Sequence, residues 1–92
     1  MKISNKIKDA LTRLGPDYQI VKIDGEVCLY RDLHNGFDIE VSGMNISGRK
    51  KYAGFVTVWQ QHPLQTVECI DDVGTQQDLE KTLIKISEKY TD

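Results

Sequence analysis

Residues 18–42 read YQIVKIDGEVCLYRDLHNGFDIEVS, and the way this stretch turns twice decides the fold. Three runs rich in Ile, Val, Tyr and Phe are separated by Asp24-Gly25 and by Asn35-Gly36. Both dipeptides suit the centre of a tight hairpin, where the backbone needs positive φ. Read as two-residue turns, each sets a register. The first puts Val21 opposite Cys28 and Gln19 opposite Tyr30. The second puts Tyr30 opposite Val41, Asp32 opposite Ile39 and His34 opposite Phe37. Directly opposed residues share a face of the sheet. The expected core face therefore carries Val21, Ile23, Cys28, Tyr30, Phe37, Ile39 and Val41. The opposite face carries Tyr18, Ile20, Lys22, Val27, Leu29, Arg31, Glu40 and Ser42, with Arg31 across from Glu40.

Working outward, the N-terminal segment has helical spacing. Ile3, Ile7, Ala10, Leu11 and Leu14 fall on one side, and Lys2, Lys6, Lys8 and Arg13 occupy much of the rest. Gly15-Pro16 ends the helix, since Gly accepts a left-handed conformation and Pro cannot continue the turn. Beyond Ser42, the run GMNISGRKK (43–51) leads into a fourth strand, YAGFVTVWQ (52–60), with Ser47-Gly48-Arg49 as a tight tip. A turn at Gln61-His62-Pro63 precedes a fifth strand, LQTVECI (64–70). Thr75 starts a last helix with Asp78 three positions on, in a capping-box-like arrangement. Leu79, Leu83, Ile86 and Tyr90 form its apolar stripe, and Lys81, Lys85 and Lys89 its solvated side. The predicted fold is α+β: a four- to five-stranded antiparallel meander flanked by an N-terminal and a C-terminal helix (α-β-β-β-β-β-α), one domain over residues 1–92. On sequence grounds the helices are free to cover one sheet face or both.

The chain is 39% hydrophobic and 28% charged with a formal net charge of −2, which places it among globular domains rather than disordered segments. That charge gives no global attraction to nucleic acid or anionic membrane. No apolar run reaches membrane-spanning length, and MKISNKIKDALTRLG has charges where a signal peptide needs an apolar core. The expected location is cytoplasmic. Cys28 and Cys69 are expected to be reduced and largely buried.

Motifs for nucleotide binding, serine hydrolysis and zinc proteolysis are missing from the sequence. Cys28, His34, His62 and Cys69 match no usual zinc spacing. Cys28, Asp32 and His34 share a face in the register above, but side chains two and four apart along a strand are too spread for a nucleophile and its base. No catalytic residue, cofactor or metal is assigned, and a non-enzymatic role is expected.

Two surfaces remain. The sheet face opposite the expected core shows Tyr18, Ile20, Val27 and Leu29, and the third strand continues it with Met44 and Ile46. A half-solvated sheet should alternate more cleanly, so this face is expected either to be covered by one of the two helices or to be the contact surface for a protein partner or for a second copy of the chain in a homodimer. The second surface is Arg49, Lys50 and Lys51 with Tyr52 beside them, suited to phosphate contact and base stacking. Three cations neutralise few phosphates, and a polar hairpin tip is the preferred reading of the run. The leading expectation is a small non-enzymatic binding module acting through protein contacts. The alternative is a nucleic-acid-binding accessory protein using residues 49–51 and the first helix. In size and plan the chain resembles the compact α+β proteins often carried by bacterial phages and mobile elements, some of which bind host proteins; no motif carries that likeness.

Overall fold

The computed structural model describes residues 3, 5–23, 25–44, 55–61, 63–71 and 73–90. Helix α1 (Asn5–Leu14) is followed by strands β1 (Gln19–Ile23), β2 (Glu26–Asp32), β3 (Phe37–Ser42), β4 (Phe55–Gln61) and β5 (Leu64–Ile70), then helix α2 (Gln76–Tyr90). The strands pair antiparallel in sequence order, β1-β2-β3-β4-β5, so the sheet is a five-stranded meander. This is the predicted α+β architecture. Among the described residues no helix is long and apolar enough to cross a membrane.

Local chemistry sets the helix ends. Gly15 sits at φ 88° and donates its N–H to the Leu11 carbonyl at 3.0 Å, which closes α1 before Pro16. At the start of α2 the Thr75 hydroxyl accepts the Asp78 N–H at 3.1 Å, satisfying an amide that the helix itself leaves unpaired.

The two hairpins behave differently. Val21 pairs with Cys28 and Gln19 with Tyr30, the register expected of a two-residue turn, and Gly25 has φ 82°. The second hairpin closes one residue earlier on β2. Leu33 donates to the Phe37 carbonyl at 3.0 Å, leaving His34-Asn35-Gly36 as a three-residue loop. Three features favour this loop. The Asp32 carboxylate accepts the His34 N–H at 2.8 Å, and the Asn35 side-chain oxygen accepts the Phe37 N–H at 3.3 Å. His34 and Gly36 both take positive φ, 61° and 92°. In consequence Leu29 pairs with Val41, Tyr30 with Glu40, Arg31 with Ile39 and Asp32 with Asp38.

A one-residue slip moves every side chain of a strand to the other face relative to its neighbour. The expected core face was therefore correct for Phe37, Ile39 and Val41 and inverted for β1 and β2, although Cys28, on the side of β2 away from the helices, is buried as expected. The buried face is Tyr18, Val27, Leu29, Leu33, Ile39, Val41, Val56 and Val58, packed against Ile7 and Ala10 of α1 and Leu79, Leu83 and Ile86 of α2. Both helices thus lie on one side of the sheet. Burying each such aliphatic side chain contributes about 1.5–3 kcal/mol. Arg31 and Glu40 stand on opposite faces, so their expected pair does not form. Arg31 instead donates to the Ser87 hydroxyl at 3.1 Å, lies over the Tyr18 ring and comes within 3.9 Å of Asp17.

Candidate functional site

Because the helices share one face, the other face of the sheet carries none of the core cluster. The register places Val21, Ile23, Cys28 and Tyr30 there, with Asp38, Glu40, Phe55, Thr57 and Trp59. Thr66 and Cys69 follow on β5, whose register shifts beside Trp59 through an irregularity between Val58 and Trp59. Phe55 is 39% exposed and Leu64 72% exposed, large apolar groups in contact with solvent.

At the centre of this open face is a groove of about 290 Å³ lined by Ile23, Tyr30, Asp38, Glu40, Trp59 and Leu64, a set drawn from all five strands. The Tyr30 hydroxyl donates to Asp38 Oδ2 at 2.7 Å. The other carboxylate oxygen, Asp38 Oδ1, is buried and has no hydrogen-bond partner among the described residues, and the same is true of Trp59 Nε1. Burial, the hydrogen bond to Asp38 and the negative charges of Asp38 and Asp32 all push the Tyr30 phenol well above its ordinary ionisation range. The groove therefore combines aromatic and aliphatic walls with a negative field.

The surface inferred from sequence is placed elsewhere. Tyr18, Val27, Leu29 and Met44 are buried in the core, and Ile20 packs against it partly exposed. They cannot form a free docking surface: the three-residue loop turns the side of β1 and β2 that carries Tyr18, Ile20, Val27 and Leu29 toward the helices, and Met44 lies beyond the Ser42 end of β3, after Gly43 at φ 87°, where the strand alternation no longer applies. Ile46 and the candidate nucleic-acid contacts Arg49, Lys50, Lys51 and Tyr52 lie outside the described residues. Of the rejected catalytic trio, Asp32 and His34 do meet, with His34 Nδ1 3.8 Å from Asp32 Oδ2 at an exposed loop. Cys28 is four residues back along β2, about 13 Å away at the rise of a strand. It is buried, while Cys69 is exposed, which corrects the expectation of two buried thiols: Cys69 sits on an edge strand and faces away from the helices. Among the described residues no group of three or more His, Cys, Asp or Glu side chains is placed to hold a metal ion.

Sequence reasoning missed Ile23, Tyr30, Asp38 and Leu64 as surface groups, and considered Trp59 only as a ring on which a nucleic-acid base could stack. A signal was present in β3, where Asp38 and Glu40 alternate cleanly with Phe37, Ile39 and Val41 and so mark the solvent side. No protein-family model matches this sequence, and no curated protein or solved structure matches it.

Proposed function

We propose that the chain is a small non-enzymatic binding module that docks a protein partner through the open face of its sheet. One observation carries the reading: both helices cover the same face, leaving an opposite face with Val21, Ile23, Tyr30, Phe55 and Trp59 outside the core cluster. A sheet with one solvated face ordinarily alternates apolar-in with polar-out. Here the solvent side keeps aromatic and β-branched residues, a composition found at the centres of interfaces.

The test compares affinity capture from source-cell lysate by the unmodified protein with capture by Phe55→Ser and Ile84→Ser variants. Phe55 lies on the open face, and Ile84 is a control on α2 with 59% of its surface exposed. A protein retained by wild type and Ile84→Ser but lost with Phe55→Ser supports the reading. Equal capture by all three overturns it. Labelled single- and double-stranded DNA and RNA, titrated at low and near-physiological salt, address the other class of partner. Binding that falls steeply with salt and vanishes when Arg49, Lys50 and Lys51 are all changed to Ala makes residues 49–51 the site instead.

A further inference from the structure

We infer that the groove on the open face receives a cationic side chain, the arginine or lysine of a basic protein segment. This rests on the docking reading above and adds the chemistry of the partner.

The first support is the sign of the face. Among the described strand residues that share it, the charged side chains are Glu26, Asp32, Asp38 and Glu40, all carboxylates. Lys22 and Arg31 pair with Val27 and Ile39 and therefore belong to the helix-covered side. The second support is a local conflict. Asp32 and Asp38 are direct cross-strand partners, and like charges so placed destabilise a sheet. Departures from local consistency of this kind are expected where a surface serves function. A bound cation would relieve the repulsion.

The third support is the form of the groove. Ile23 and Leu64 offer aliphatic surface for the stem of a long basic side chain. Tyr30 and Trp59 offer ring faces, and Asp38 offers a carboxylate for its head. Asp38 Oδ2 is already engaged by Tyr30, but Oδ1 is buried without a partner among the described residues, so a guanidinium or ammonium would complete its hydrogen bonding.

The same charges argue against other occupants. A second copy docked face to face would set these carboxylates against their own equivalents. A phosphate-bearing ligand would meet the same repulsion.

The test uses the full chain labelled with nitrogen-15. Three capped hexapeptides serve as probes: one alternating leucine with arginine, and two with citrulline or glutamate in place of every arginine. Trp59 is the single tryptophan of the chain, so its indole N–H signal reports the groove directly. The expected result is shifts at Trp59, Tyr30 and Asp38 with the arginine peptide, and affinity at least about tenfold above the citrulline peptide. That preference should shrink with added salt and be lost in Asp38→Asn. Glu40→Gln provides a second variant should Asp38→Asn fail to fold, as judged by amide dispersion. Equal affinity for the arginine and citrulline peptides, with Trp59 shifting, overturns the charge inference and leaves the docking reading intact. Preference for the glutamate peptide, no shift at Trp59 with any peptide, or concentration-dependent dimerisation through this face also overturns it. The Phe55→Ser capture result then decides the docking reading separately.

Discussion

Leu33 donates its backbone N–H to the carbonyl of Phe37 at 3.0 Å, and this closure aligns β2 against β3. From it follows the pairing of Leu29 with Val41 and Arg31 with Ile39, and so the identity of the helix-covered face. The loop it encloses is held by side chains at both ends, Asp32 to the His34 amide and Asn35 to the Phe37 amide. It is held from β4 as well, since Gln61 donates its N–H to the Gly36 carbonyl at 2.9 Å. Which side chains the open face carries thus depends on a three-residue loop at one end of the sheet.

That loop makes opposite demands at two positions. Gly36 sits at φ 92°, and a Cβ added there would meet nothing within 4 Å, so the cost of Gly36→Ala is conformational alone. It should destabilise the protein by about 1–2 kcal/mol, the usual penalty of left-handed backbone for an L-residue. His34, also at positive φ, should respond the other way, with His34→Gly neutral or slightly stabilising. Urea denaturation of the two variants checks this. Equal destabilisation by both would show that the loop does not hold these dihedrals.

The register makes a sharper distinction between residues expected to behave alike by composition. Leu29 is fully buried beneath the helices, whereas Val21 lies half-buried on the open face. Leu29→Ala should cost about 2–5 kcal/mol. Val21→Ala should cost about 1 kcal/mol or less, since little of its environment closes around it. Had β2 and β3 paired through a two-residue turn, Val21 would be the core residue and the order would reverse. Denaturant midpoints for the pair therefore report the register directly.

How much of this is legible in the sequence differs from element to element. β5 over Leu64–Ile70 and β3 over Phe37–Ser42 are visible as runs between turn signals, and the apolar stripe Leu79, Leu83, Ile86 of α2 follows from spacing alone. The Asp24-Gly25 register is legible because a two-residue turn needs only local positive φ. The Asn35-Gly36 register is not, because His34 joins the loop at positive φ, uncommon for any residue but Gly, through a hydrogen bond from its own amide to Asp32. Which face the helices cover cannot be read from strands apolar on both sides, such as β4. Val56 and Val58 are fully buried, while Phe55 and Trp59 carry comparable hydrophobicity to the other face. The candidate site escapes sequence reading for that same reason.

The cap of α2 gives a local prediction independent of the sheet. Thr75 is the acceptor for the Asp78 amide, and α2 supplies Leu79, Leu83 and Ile86 to the core. Thr75→Ala should lower stability by about 1 kcal/mol, and Thr75→Ser should recover most of it. Thermal unfolding of the three proteins is sufficient. Identical Tm values for Ala and Thr would mean that the hydroxyl contributes nothing to the helix start.

Tyr30 predicts how the protein responds to alkali. Its phenol is raised above the ordinary value of 10.0 first by burial, then by donating to Asp38, and then by the negative charges of Asp38 and Asp32. In the unfolded chain the phenol ionises near its ordinary value, while in the folded chain it keeps its proton at the same pH. Between the two ionisations the native state binds more protons than the unfolded state, so stability falls as pH rises. The Tyr30 contribution is fully present below about pH 10 and is drawn down above it. Tyr30→Phe removes the hydroxyl and with it this part of the pH dependence. Urea midpoints measured from about pH 8 to about pH 11 should therefore fall more steeply for wild type than for the variant. The lysines, which also titrate in that range, are common to both proteins and cancel in the difference. Parallel curves would mean that the Tyr30 proton is not held by Asp38 in the folded protein. The negative field assigned to the groove would then lose its most direct reporter.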